Sequence, residues 1–185
     1  MKTMVMRAGL MSVAALLASA ATAEPSGDFS TGPVFEDFGP HATIEGLEPF
    51  AADTEFAHSF DVAKAAEDGA RNRGFESAAR FINIHVAIGV AKENIRVAVV
   101  VHGGAVLDLL ADEHLMAREG EENPNPSGDM VREMLAKGMR FIVCGQSATG
   151  QGVTADQLIP GVEMALSAMT AHALLQQQGY TVNPF

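Results

Sequence analysis

The chain contains one cysteine, Cys144, and its setting is the strongest chemical feature of the sequence. It closes the apolar run Met139 to Val143 and is followed by Gly145-Gln146-Ser147-Ala148-Thr149-Gly150, read as a small flexible loop. Glycines in such a loop let backbone amides approach a bound group closely. Amides gathered there stabilise an anion, so a thiolate or persulfide at Cys144 would have a lowered pKa and raised reactivity at neutral pH. A buried cysteine packed at a strand end accounts for the same residue, because unpaired cysteines are among the most buried side chains. His102 closes a second apolar run and precedes Gly103-Gly104. An imidazole there could act as a general base or thiol partner, with the glycines leaving room for a ligand. A histidine that merely caps the strand against nearby backbone fits as well.

Other chemistries find less support. A single thiol excludes an intramolecular disulfide framework and any multi-thiolate zinc or iron–sulfur site. His102, Cys144 and His172 come from separate segments and are able to converge, but no H-E-x-x-H or C-x-x-C spacing supports a metal, and no cofactor is expected. His85 shares a stripe with Phe81 and Ile88 and reads as a satisfied core histidine, whereas His172, between two alanines, reads as facing solvent or a subunit partner. Met130 and Met134 are spaced i, i+4, which suits an apolar helix face better than a Cu(I) thioether pair. The segment VVVHGGA is neither a Walker loop nor a G-x-G-x-x-G fingerprint. Asp112, Glu113, Glu119, Glu121 and Glu122 lack metal-loop spacing and read as keeping a loop solvated. With 12 basic and 23 acidic residues the net charge is −11, which argues against a nucleic-acid partner.

These residues need a scaffold. At 185 residues, 48% hydrophobic and 19% charged, the chain has the balance of one compact domain. Alternation from Phe56 to Val62 predicts a first strand. A helix is predicted from Glu76 or Ser77 to about Lys92, and Ile95–Val101 reads as a strand buried on both faces. Ala105–Leu110 reads as a short helix and residues 111–128 as a loop. Met130–Lys137 reads as a helix and Met139–Val143 as the next buried strand. Thr154 and Gln157 have capping-box spacing ahead of a helical turn. Val162–Leu166 can form a strand, and Ser167 can cap a helix from Ala168 to Gln178 that Gly179 ends. This alternation predicts an α/β fold, a three-layer sandwich with a mainly parallel sheet between helices. In such sheets the loops leaving the carboxyl ends of the strands form the ligand crevice, and both His102 and Cys144 sit at such ends.

The first residues read differently. Lys2 and Arg7 precede the apolar run Leu10 to Ala18, and Ala21-Thr22-Ala23 forms an A-x-A signal, the pattern of a secretory signal peptide cleaved after Ala23. The run is shorter than the roughly 20 residues a membrane span requires. The expected organisation is a signal peptide at 1–23, an N-terminal arm at 24–54 and a domain at 55–185. A periplasmic location is expected, with no membrane span after cleavage.

Taken together, VVVHGGA at 99–105, NPN at 123–125, GMRFIVCGQS at 138–147 and LLQQQGY at 174–180 resemble the DsrE/DsrF-like family, the YchN-type sulfur-relay fold. The resemblance covers about 55–185 and rests on the order of the pieces. It implies a small α/β domain that oligomerises, often as a trimer or hexamer, with Cys144 able to carry sulfur as a persulfide. The expected site is then Cys144 and His102 as catalytic groups, with Gly103, Gly104, Asn123, Asn125, Gly145, Gln146 and Ser147 around a ligand. A thiol or sulfur compound would serve as donor and acceptor. The rival expectation is a non-catalytic, homo-oligomeric module that binds a small ligand and uses Cys144 structurally.

Overall fold

The computed structural model describes residues 28–120 and 122–183, so the expected leader and its cleavage after Ala23 lie outside the described residues. Two short strands, β1 (Phe29–Ser30) and β2 (His41–Ala42), form an antiparallel pair. β3 (Phe56–Val62) leads into α1 (Arg73–Ala87), then β4 (Ile95–Val101), α2 (Asp112–Glu119), α3 (Gly128–Ala136) and β5 (Arg140–Cys144). α4 (Gly145–Gly150), β6 (Glu163–Ala165), α5 (Ala168–Gln177) and β7 (Thr181–Asn183) complete the order. The last five strands form one parallel sheet in the order β6-β5-β4-β3-β7. Among the described residues no helix is long and apolar enough to cross a membrane.

The layers follow from side-chain alternation. On β4, Val97, Val99 and Val101 join the larger core with Phe75 and Ile82 of α1 and Met130 and Met134 of α3. Ala98 and Val100 point to the opposite face and pack with Ala171 and Leu175 of α5 and with Tyr180. A strand covered on both sides has no polar face, which is why the run is continuously apolar. The helices therefore sandwich the sheet as the sequence pattern implies.

Several boundaries differ from expectation, each for a local reason. α1 begins three residues earlier because Asn72 caps it, its Oδ1 accepting from the N–H groups of Gly74 at 2.8 Å and Phe75 at 3.3 Å. Part of the stretch read as a loop is α2, whose first turn carries Asp112 and Glu113, whose last turn carries Arg118, and which Gly120 ends at φ 70°. Those charges complement the helix dipole at both ends. The segment after Cys144 is likewise the helix α4 and not a flexible loop, with Ala148 fully buried. The turn after β4 is a 3-10 helix spanning Gly103–Leu109. β7 was not anticipated, because three residues at the sheet edge leave too short a pattern to read.

The segment before β3 is fastened by one buried side chain. Asn83 of α1 is 0% exposed. Its Oδ1 accepts from the N–H groups of Val34 at 3.1 Å and Phe35 at 2.9 Å, and its Nδ2 donates to the carbonyls of Phe35, Phe38 and Gly39. Phe35 and Phe38 stack with ring centroids 4.9 Å apart and belong to the larger core.

Candidate functional site

The carboxyl edge of the sheet brings Cys144 and His102 close. Val101 pairs with Val143 in the parallel ladder, so the next residues, His102 and Cys144, are neighbours on adjacent strands. Parallel strands lie about 4.8 Å apart. Cys144 pairs with Ala165 of β6 on its other side and stands at the N-cap of α4 in an extended conformation.

The sulfur sits in a ring of donors. Burial pushes the Cys144 thiol up, but the nearby Ser147 hydroxyl and the backbone N–H groups of Ser147, Ala168 and Gln146 hold it below the ordinary cysteine value. Two chain segments contribute, since Ala168 opens α5 whereas Gln146 and Ser147 belong to α4. Donors fixed by backbone need no reorganisation to meet a thiolate, which is why a few of them outweigh burial. Cys144 is 5% exposed.

Ser147 also ties the two strand ends together, because its Oγ accepts the N–H of Gly103 at 3.1 Å. The Gln151 side-chain amide donates to the carbonyl of the same Gly103. Gly103 adopts φ +54°, and a Cβ there would lie 2.8 Å from the Ala63 carbonyl oxygen. The space on the Cβ side of this glycine is therefore filled by the chain leaving β3, and the exposed Gly104 would place a Cβ 3.3 Å from that of Ala65. Gly145 is needed for the same kind of reason, since a Cβ would come within 2.7 Å of the Ala165 carbonyl oxygen. Gln146 is exposed and donates to the Leu166 carbonyl at 3.2 Å.

The Asn-Pro-Asn loop is placed elsewhere and serves the fold. Asn125 donates from Nδ2 to the carbonyls of Asp108 at 2.9 Å and Leu110 at 2.8 Å, and accepts the Ser127 N–H at Oδ1. Asn72 in turn donates its backbone N–H to Ser127 Oγ and its side-chain amide to Asp108. Asn125 is thus a buried clip between the β4 and α3 connections, while Asn123 is exposed.

His102 has a partner that the sequence did not announce. Its Nε2 lies 3.0 Å from Asp61 Oδ2, and Nε2 of His172 lies 2.8 Å from the other oxygen, Oδ1. Burial pushes the Asp61 carboxyl up, yet the two histidine hydrogen bonds outweigh it and keep the group below the usual carboxylate range. The only signal in the sequence was the polar face of β3, Ser59 and Asp61, which a buried sheet has no reason to carry unless partners wait across from it. His172 had read as facing solvent or a subunit, and its actual contact is Asp61. Among the described residues no group of three or more His, Cys, Asp or Glu side chains is arranged to hold a metal. His85 is satisfied as read, its Nδ1 2.6 Å from the Phe81 carbonyl, but it is half-buried at the edge of the core and not inside it.

The arrangement defines a class: a parallel three-layer α/β domain with a donor-ringed thiol at the carboxyl edge of its sheet. The family model of the DsrE/DsrF-like family matches residues 58–184, and the chain belongs to that family. Similar solved structures include a protein of unknown function, MTH1491, from Methanobacterium thermoautotrophicum, at 20% identity and a TM-score of 0.49, covering 71% of this chain and 100% of that one. The ychN protein from E. coli is also 20% identical, with a TM-score of 0.43 and coverage of 70% of this chain and 100% of that chain. No curated protein sequence matches the chain.

Proposed function

We propose that the protein handles sulfur in the periplasm, with Cys144 accepting sulfane sulfur, holding it as a persulfide and passing it to an acceptor. The observation that carries this reading is the set of donors around one thiol, the Ser147 hydroxyl and three backbone N–H groups. Family membership supports it. Thiosulfate or a polysulfide illustrates the step. The Cys144 thiolate attacks the sulfane sulfur with its electron pair, a new S–S bond forms, and the donor's S–S bond breaks with its pair leaving on sulfite or the shortened polysulfide. The persulfide terminal sulfur is then attacked by an acceptor thiolate, and the Cys144 thiolate returns as leaving group. The ring of donors suits either anion, and His102 would assist proton transfer.

Export after cleavage behind Ala23 belongs to this reading, supported by the A-x-A pattern and the short apolar run. N-terminal sequencing of envelope protein should begin at Glu24. Homo-oligomerisation, as a trimer or hexamer, is supported by four exposed apolar side chains, Met164, Leu166, Met169 and Leu174, which are 42%, 72%, 80% and 50% exposed. Light scattering should return a multiple of the chain mass.

One observation favours the second reading, a small-ligand-binding module with a structural Cys144: the cysteine is 5% exposed. A cyanolysis assay separates the two. Protein treated with polysulfide and desalted should yield thiocyanate in proportion to protein, and Cys144→Ser should yield none. Equal yields from both proteins would overturn the carrier reading.

A further inference from the structure

The geometry points to Asp61 as the positioning residue of this site, the group that decides which nitrogen of His102 is basic. The inference rests on the sulfur-handling reading and names the part of the site that reading leaves open. Asp61 stands on β3, on the face that α5 covers, and each of its carboxylate oxygens meets one imidazole Nε2, His102 at 3.0 Å and His172 at 2.8 Å. An ionised carboxylate only accepts hydrogen bonds, so both Nε2 atoms carry protons. In the neutral ring of His102 the lone pair is then on Nδ1. His172 anchors the carboxylate from α5. Its Nδ1 lies 3.5 Å from Ser59 Oγ, a hydroxyl that can donate to that nitrogen or to the Thr181 carbonyl at 3.1 Å.

A purely structural pairing would be closed to solvent, and this one is not. Asp61 lines a cleft of about 280 Å³ between the end of β3 and the start of α1, together with Lys64, Glu67 and Arg73. The side chains of His102 and Asp61 are each 30% exposed and that of His172 is 16% exposed. Among the described residues the charged group in contact with His102 is Asp61 on β3, which His172 of α5 contacts in turn, and Cys144 ends the neighbouring strand β5; Lys64, Glu67 and Arg73 line the cleft beside Asp61. In the activation step the S–H bond of Cys144 breaks, its electron pair stays on sulfur, and the proton passes to Nδ1 of His102, directly or through one water. Asp61 stabilises the imidazolium that forms.

The test follows sulfur loading of Cys144 from thiosulfate across pH 5–9 in the full chain, with circular dichroism to confirm folding. Asp61→Asn and His102→Gln should each slow loading about 100-fold, and each should reduce the pH profile to the single inflection of the thiol. The double variant should be no slower than either single one, because the two act as a unit. Asp61→Glu should restore the second inflection. A folded Asp61→Asn that loads at the wild-type rate with the wild-type profile would overturn the inference and leave the carrier reading standing. Wild-type protein that takes up no sulfur would overturn the carrier reading; the tautomer then decides the inference. Nitrogen-15 NMR of the wild-type imidazoles reports that tautomer whether or not any variant folds: protons on Nε2 of both His102 and His172 support the inference, and a neutral His102 protonated on Nδ1 overturns it.

Discussion

The backbone N–H of Ala168 helps to hold the Cys144 thiol below the ordinary cysteine value. The first residue of α5 thus completes a ring of donors begun by Gln146 and Ser147 on α4, so the thiol's environment depends on how two helices dock at one edge of the sheet. Ser147 extends the dependence to β4 by accepting the N–H of Gly103.

The thiol should therefore ionise below the reference of about 8.5 for free cysteine. Alkylation rates of the folded protein measured against pH give the value. Ser147→Ala should raise it, because the hydroxyl is the foremost of the groups that lower it. The backbone donors remain in that variant, so the thiol should stay reactive.

Gly145→Val tests the close approach of α4 to β6. A Cβ would lie 2.7 Å from the Ala165 carbonyl oxygen, and that obstacle is backbone. Overpacking of this kind costs roughly 1–3 kcal/mol. Denaturant unfolding should show the loss, and the thiol should titrate higher because the Gln146 and Ser147 amides shift with the helix start.

Asn83→Ala should cost about 3 kcal/mol, because it removes a fully buried amide that serves Val34, Phe35, Phe38 and Gly39 and leaves backbone groups unsatisfied. The midpoint of urea unfolding should fall. Limited proteolysis should cut first in residues 28–54, since Phe35 and Phe38 lose the group that holds their backbone.

Acid sensitivity follows from Asp61. Its folded pKa lies below the unfolded value, so its contribution to stability is present above about pH 4, where the unfolded chain's aspartates ionise, and is lost as pH falls through the lower folded value. Unfolding midpoints of Asp61→Asn should accordingly change less than those of the wild-type protein as pH is lowered through that range.

Much of this fold was legible because the buried strands carry an unmistakable signal. Ile95–Val101 is continuously apolar, and the structure packs Val99 on one face and Val100 on the other. The capping side chain of Ser167 was also readable, and it accepts the Thr170 N–H at 3.1 Å. Cys144 and His102 could be read as neighbours because each follows a buried apolar run, and β4 and β5 lie side by side in the sheet. Asp61 and His172 were missed because their pairing joins β3 to the last helix, and no local period records a contact so distant in sequence. Glycine misled at Gly145, which signalled a flexible loop, whereas it opens α4 where backbone passes within reach of the Ala165 carbonyl oxygen. The contacts of Asn125 with the Asp108 and Leu110 carbonyls were not legible, since a polar side chain that joins loops looks in sequence like one that meets a ligand.

The central claim is that Cys144 stores a sulfur atom that can be taken off again. Intact-mass measurement of the native protein after brief exposure to polysulfide, repeated after a small reducing thiol, tests it in one experiment because the chain has a single cysteine. The account predicts a gain of one or more sulfur atoms per chain, complete reversal by the thiol, and no gain in Cys144→Ser. An unchanged mass in folded wild-type protein, under conditions where Cys144 remains alkylatable, would contradict it.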